Sequence, residues 1–274
     1  MLRERAYAKL NLVLHVGSPR EDGIHPICSL MASIDLADEL TAAPREGGAD
    51  LVECPGVAGD NLAARALADF RARAGRDLPA LELRIDKRIP VAAGLGGGSA
   101  DAAAALRVAN QLAGAPLGGE ELLRLAADLG SDVPSQLHPR HAIVQGVGER
   151  IEPLALPPLT AVLIPDPAGL STAAVYAELD RLGGGRDSLD PEPLRALAAG
   201  PPAELVAGLE NDLQHAALSL RPDLSARLDR LRSAGALGTA VSGSGPTCFG
   251  LFDDRGAAED AAASIHGALL TELR

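Results

Sequence analysis

Hydrophobic periodicity divides the chain into short elements of both kinds. Residues 8–16 read as a strand, 60–74 as a helix, and 80–85 as a strand that alternates strictly, with Leu81, Leu83 and Ile85 on one face. Helical spacing follows over 100–112 and 119–129. The run Pro153-Leu-Ala-Leu-Pro-Pro158 breaks any regular element, and 160–164 resumes as a buried strand. That break predicts a domain boundary, with an N-terminal domain over 1–156 and a C-terminal one over 157–274. Further helices are expected over 171–182, 193–199, 204–218 and 222–233, then a strand, turn and strand around 239–252 and a closing helix over 256–273. Residues 183–186 and 199–202 read as exposed loops, and no repeat of 20–50 residues is visible. The mixed order points to a two-lobed α+β protein.

Composition narrows the chemistry. Apolar residues make up 47% of the 274 but aromatics only 2%, so the core has to be Ala, Leu and Val at short distances. The net charge of −12 is spread along the chain with no basic stripe, which excludes nucleic acid as a partner. No run of about 20 apolar residues offers a membrane span, and the charged first residues do not suit a secretory leader. A soluble, cytoplasmic protein is expected. Cys28, Cys54 and Cys248 are odd in number and lack Cys-x-x-Cys spacing, so they read as small buried hydrophobes rather than as disulfide or zinc ligands. The histidines at 15, 138, 141, 215 and 266 show no metal-ligand spacing.

The most informative segment is Pro90-Val-Ala-Ala-Gly-Leu-Gly-Gly-Gly-Ser-Ala-Asp101, which leads straight into an alanine-rich helix. Gly94, Gly96, Gly97 and Gly98 permit close backbone approach, Ser99 sits where a helix cap belongs, and the free N–H groups of a first helical turn make a phosphate cradle. A plain glycine-rich connection would look similar. No Lys-Ser or Lys-Thr follows the last glycine, so this is not a Walker A loop, and the spacing is not that of a dinucleotide fold.

The loop resembles the second motif of the galactokinase, homoserine kinase, mevalonate kinase and phosphomevalonate kinase (GHMP) superfamily. Ala8-Lys9-Leu10-Asn11-Leu12 looks like its first motif, and Val241-Ser-Gly-Ser-Gly-Pro-Thr-Cys-Phe-Gly250 like its third. Arg20-Glu-Asp-Gly-Ile-His25, Gly130-Ser-Asp-Val-Pro134, Gly146-Val-Gly-Glu149, Ser171-Thr172 and Glu210-Asn-Asp-Leu213 resemble the branch that phosphorylates 4-diphosphocytidyl-2-C-methyl-D-erythritol in the non-mevalonate isoprenoid route.

The resemblance implies a two-domain α+β GHMP kinase fold with its site in the cleft between the domains, and ATP with Mg²⁺ as the phosphoryl donor. ATP would be held by Pro90, Gly94, Leu95, Gly96, Gly97, Gly98, Ser99 and Ala100, with Asn61 at the purine end or simply at a helix start. Asp132 would orient or accept the proton of the attacking hydroxyl, and Lys9 would hold that carboxylate ionised and the nucleophile in place. Asn11, Ile24, His25, Thr172 and Tyr176 would contact the substrate, and the metal ligands stay unassigned. This chain departs from the family at several positions: Ile24 replaces a stacking tyrosine, Ala100-Asp101 a Ser-Asn pair, Ser135 a phenylalanine and Tyr7 a proline. Asp101 keeps an oxygen ligand within reach of a metal. Another small polyol or amino alcohol as acceptor, or a catalytically silent ligand-binding relative, are the competing readings.

Overall fold

Three charged residues, Arg3, Glu4 and Arg5, precede the apolar run, and the first strand already starts at Leu2. The structure is a computed structural model that describes residues 1–57, 59–75 and 78–274. Strand β1 spans Leu2–Val16; its first residues are exposed on one face, and from Ala8 onward it is buried throughout. A long strand that periodicity missed, β2 (Ile27–Arg45), follows. Its Ala, Asp and Glu content hides its strand character.

The chain folds into two compact units: Met1–Ala8, Leu36–Val91 and Gly96–Pro139 form one, and Lys9–Asp35, Ala92–Leu95 and Arg140–Arg274 the other. Strands β1 and β2 contribute residues to both. These units interleave in sequence, whereas the boundary at 156/157 is linear, so the two divisions describe different things.

The first unit contains β3 (Leu51–Glu53), α1 (Leu62–Ala74), β4 (Ala80–Asp86), α2 (Gly97–Leu112), α3 (Gly119–Leu129) and the short α4 (Val133–Gln136). β4 pairs antiparallel with residues 39–45 of β2 and parallel with β3, and its alternating Leu81, Leu83 and Ile85 face the core. Helix α2 begins at Gly97, so Ser99 lies inside its first turn and the N-cap is Gly96, at φ 71°. Helix α2 is buried on most sides because Ala102, Ala103, Ala104 and Ala105 let its neighbours approach closely; Phe70 of α1 supplies the bulk in this alanine-rich core.

The second unit contains β5 (Ala142–Gly146), β6 (Arg150–Pro153), β7 (Thr160–Ile164), α5 (Thr172–Arg181), α6 (Glu192–Ala199), α7 (Pro202–Ala207), β8 (Glu210–Asn211), α8 (Gln214–Leu220), α9 (Asp223–Ser233), β9 (Gly238–Val241), β10 (Cys248–Phe252), α10 (Arg255–Ser264) and β11 (Leu269–Glu272). One sheet runs in the order β11-β7-β10-β9. Elsewhere β5 pairs with residues 27–31 of β2 and with β6, and β8 pairs parallel with β1 at Val13↔Glu210 and Leu14↔Asn211.

Three expectations need correction. The helix read over 204–218 is interrupted at Gly208, and β8 lies between α7 and α8. The closing helix stops at Ser264, and after Gly267, at φ 76°, the chain returns as β11 against β7. Residues 183–186 are a loop as expected but are only partly exposed: the Arg186 N–H bonds Val16 O at 2.8 Å, and its guanidinium grips Asp212 through two bonds at 2.7 and 2.8 Å. The cysteines are free; Cys28 and Cys248 are buried and Cys54 half-buried. Burial pushes the Cys248 thiol up to about 12.

Beneath the start of α2, Lys87 Nζ bonds Asp38 at 2.5 Å and Asp101 at 2.8 Å, all three largely out of solvent. Asp38 also accepts from the N–H groups of Arg88 and Ile89. Asp101 is buried, and one of its carboxylate oxygens is engaged by Lys87. Its Oδ1 is buried and accepts no hydrogen bond from the described residues. Burial, only partly offset by Lys87, pushes Asp101 up to about 7. A carboxyl raised in this way holds a proton in the folded state that the unfolded chain has released. Its contribution is fully present below the ordinary carboxylate range and is lost as pH rises through about 7. Asp101→Asn should thus leave the melting temperature unchanged near pH 4 and stabilise the protein by roughly 1–3 kcal/mol at pH 8. Thermal melts across that range check this, and a pH-independent difference would remove Asp101 as the cause.

Candidate active site

The second unit gathers most of the first motif and the third around one buried lysine. Lys9 sits in β1 at 5% exposure, and its Nζ donates to Asn11 Oδ1 at 2.6 Å. Asn11 Nδ2 in turn donates to Ser29 Oγ at 2.8 Å, and Ser29 Oγ to Val13 O at 2.7 Å. The sequence puts Lys9 and Asn11 two residues apart, hence on the same face of the strand. The Lys9 N–H also bonds Leu95 O at 3.0 Å, tying β1 to the start of the glycine loop. Asn11 is thereby engaged as a support for Lys9.

The turn after β9 closes over this pair. A Cβ at Gly243, whose φ is 57°, would lie 3.1 Å from Asn11 Oδ1 and 3.3 Å from Lys9 Nζ. Ser242 Oγ bonds Gly94 O at 3.0 Å, and a Cβ at Gly94, φ 75°, would strike Ser242 O at 2.5 Å and Gly245 O at 2.7 Å. Gly94 is thus required by the protein itself. Thr172 Oγ1 shares a 2.9 Å hydrogen bond with Ser244 Oγ, which joins the start of α5 to the same turn.

His25 and Tyr176 also meet in this unit, with ring centroids 5.2 Å apart at 45°. The polar edge of the His25 ring is occupied: Nδ1 is 2.8 Å from Gly17 O and Nε2 is 3.3 Å from Asp180 Oδ1. Tyr176 is half-buried and also packs on the apolar core of the unit, while Ile24 is 49% exposed. Ile24 and His25 are set by an Asp22 turn, in which Asp22 Oδ1 accepts from the Ile24 N–H at 3.0 Å.

The first unit holds Asp132 and most of the phosphate loop. Asp132 is half-buried at the N-cap of α4, and Ser135 Oγ bonds its backbone carbonyl at 2.9 Å. Gly97, Gly98 and Ser99 make the first turn of α2, and their N–H groups have no acceptor in a preceding helical turn. A Cβ at Gly97 would press on Ile89 Cγ2 at 2.9 Å, whereas one at Gly98 would meet none of the described residues within 4 Å. Pro90 is half-buried ahead of the loop, and Ala100 is buried in the core of α2. Asn61 caps α1, its side chain accepting from the Ala63 N–H at 2.8 Å, so one of its polar atoms serves the helix.

Sequence reasoning missed Lys87, whose position just before the loop was the available signal, and Asp38, which lies in an acidic stretch that reads as surface. Among the described residues no group of three or more His, Cys, Asp or Glu could hold a metal ion.

Two family models match in order along the chain: the GHMP kinases N terminal domain over residues 61–140 and the GHMP kinases C terminal domain over 194–269. The 4-diphosphocytidyl-2-C-methyl-D-erythritol kinase of Nocardia farcinica is 45% identical over 96% of this chain and 89% of its own length; that of Streptomyces coelicolor is 46% identical over 94% and 90%. The chain belongs to the 4-diphosphocytidyl-2-C-methyl-D-erythritol kinase family of GHMP kinases. A crystal structure of 4-(cytidine 5'-diphospho)-2C-methyl-D-erythritol kinase superposes with a TM-score of 0.83 at 36% identity, covering 99% of this chain and 98% of that one. The mevalonate kinase of L. major, in complex with R-mevalonate, shares the fold at a TM-score of 0.70 and 15% identity over 100% of this chain and 96% of its own. A GHMP kinase transfers phosphoryl groups from ATP, and no helix among the described residues is long and apolar enough to cross a membrane.

For a GHMP kinase loop the glycines separate cleanly. Gly98→Ala adds a side chain where the protein has open space and puts a better helix former in the first turn of α2, so stability should hold or rise while ATP affinity falls tenfold or more. Gly94→Ala should instead cost about 2 kcal/mol or more through its clash and left-handed backbone. Calorimetric titration with ATP beside thermal melts checks both; unchanged ATP affinity in Gly98→Ala would remove the cradle.

Proposed function

We propose that this kinase transfers the γ-phosphoryl group of ATP to the 2-hydroxyl of 4-diphosphocytidyl-2-C-methyl-D-erythritol, in the cytoplasm, as a step of the non-mevalonate route to isoprenoid precursors. The observation that carries the substrate is the identity of 45–46% over nearly the whole chain to kinases of that name. The open N-terminal turn of α2 fits a nucleotide polyphosphate. Mg²⁺, when bound to that polyphosphate, would neutralise charge on the phosphoryl oxygens, and with no protein cage among the described residues it would be held chiefly through the nucleotide, with Ser99 as the nearest hydroxyl of the loop.

In this reading Asp132 orients the attacking hydroxyl and takes up its proton as the new O–P bond forms and the bond from the γ-phosphorus to the bridging oxygen breaks, leaving ADP. Lys9, fixed by Asn11, supplies positive charge for the oxygen that attacks. Thr172, at the start of α5, and the His25–Tyr176 pair serve the cytidyl end. Because the ring nitrogens of His25 are occupied, that pair offers aromatic surface more than a polar edge. The exposed Ile24, where relatives of this kind carry a stacking ring, favours a second reading, in which a different small hydroxyl compound is the acceptor.

ADP release with Mg²⁺-ATP over the cytidyl substrate, homoserine and phosphomevalonate separates the readings; turnover with the cytidyl compound alone is expected, and none with it would sink the proposal. Asp132→Asn should lower kcat about 10²-fold or more with little change in ATP affinity. Ile24→Tyr should tighten KM for the cytidyl substrate several-fold at nearly constant kcat, since base stacking is worth roughly 1–3 kcal/mol and an aliphatic face already recovers part of it. Tyr176→Ala should raise that KM. If neither substitution moves it, cytosine does not bind there.

A further inference from the structure

The segment Glu210-Asn-Asp-Leu213 has no place in the chemistry above, yet the structure puts it directly behind the turn that covers Lys9. Asn211 lies on β8, paired with Leu14 of the strand that carries Lys9 and Asn11. Every part of its amide is used. Nδ2 donates to Val241 O and to Gly243 O, both at 2.8 Å, and Oδ1 accepts from the Leu213 N–H at 2.9 Å. One of the carbonyls it binds precedes the turn and the other lies within it, at Gly243, the residue that abuts Lys9 Nζ and Asn11 Oδ1. Its neighbours fix β8 from behind. The Asp212 N–H bonds Leu14 O at 2.9 Å, Asp212 Oδ2 accepts from the Val16 N–H at 2.8 Å, and Arg186 holds the same carboxylate.

The turn is therefore located against β1 at two points: at Gly243, beside the lysine, and through Asn211, whose own position is set by pairing with Leu14. Only an amide serves here. Two carbonyl oxygens need two N–H donors, while the Leu213 N–H needs an acceptor on the same side chain. A carboxylate of the same size would place an acceptor against two carbonyls, and a buried group left in that state pushes its neighbours apart.

We propose that Asn211 is a positioning residue for phosphoryl transfer, which holds the Ser242–Gly245 turn closed over Lys9 and Asn11 and so fixes the Lys9 ammonium. The inference rests on the reading of Lys9 as the cation of the reaction. It assigns to the Glu-Asn-Asp-Leu segment a task distinct from substrate contact: Asn211 touches neither reactant and acts through the turn.

The test is a double-mutant cycle on the full chain. Asn211→Asp should lower kcat about tenfold or more while KM for the cytidyl substrate stays within twofold. In a Lys9→Ala background the same substitution should cost less than twofold, because the group it positions is gone. A purely structural residue would cost the same factor in both backgrounds, and that result, or full kcat in Asn211→Asp, overturns the inference. Gly243→Ala pushes on the same contact from the other side and should reproduce the kinetic pattern; it serves where Asn211→Asp does not fold. NMR of the lysine side-chain methylenes in the protein without ligand supplies a readout that needs no acceptor. The Lys9 resonance should move in both variants, and an unmoved resonance in folded Asn211→Asp also overturns the inference. Failure of the wild-type chain to use the cytidyl substrate would count against the proposed substrate alone, and the NMR arm then decides the role of Asn211.

Discussion

Lys9 puts an ammonium inside a strand that is buried on every side from Ala8 onward, and much of the second unit is arranged to make that tolerable. Removing such a group from water costs several kcal/mol unless polar partners replace the solvent. Strands β1 and β2 supply them in relay: Asn11 accepts from the ammonium, Ser29 accepts from Asn11, and the carbonyl of Val13 accepts from Ser29. Each member is small or flat, which lets a third segment come within van der Waals reach. That segment needs a residue without a side chain at Gly243, and its backbone carbonyls need the amide of Asn211. One buried charge thus accounts for the residue types at positions separated by most of the length of the chain.

The first unit handles buried charge by a different arrangement. One ammonium, Lys87, serves two carboxylates, and Asp38 takes two backbone N–H groups besides. Asp101 receives less than Asp38 does, and burial raises it to about 7. This chain therefore has a group under the first turn of α2 that changes charge near neutral pH. The sequence suggests a metal oxygen at Asp101. In the fold Asp101 lies on the buried face of α2, where Lys87 engages one of its oxygens.

How far the fold could be read depended on whether local and tertiary signals agreed. Strand β4 and helices α3 and α5 agree with periodicity because their alternating or helical faces are also the faces they bury, and α5 even starts from Ser171, whose hydroxyl accepts from the Ala174 N–H. The stretch from 204 to 218 failed because Leu205, Val206, Leu213 and Ala217 keep helical spacing across the break, while pairing of β8 with β1 overrides it. The tail failed in the same way: Ala261 and Ile265 continue a helical face, and β11 is claimed by β7. Strand β2 was invisible because alanines and acidic residues, poor strand formers, become a strand once both neighbours pair with it. The site was legible as motifs, since short contiguous signatures survive in sequence. Its supports were not: Ser29, Asp38, Lys87 and Asn211 meet their partners only through the fold.

The glycine loop shows why a motif and a binding site are not the same set of residues. Its glycines are required for three different reasons. At Gly94 a side chain would collide with the carbonyls of Ser242 and Gly245, so the residue serves the contact between two turns of the same unit. At Gly97 it would collide with Ile89, so the residue serves packing of the first turn of α2. At Gly98 none of the described residues stands in the way, and φ there is not left-handed. Alanine would be the better helix former at that position. A glycine that neither the backbone nor the packing requires points to something that approaches from outside, and the exposed N–H groups beside it favour an anion. Of the glycines in this loop, Gly98 is the one whose missing side chain neither the backbone conformation nor the packing requires.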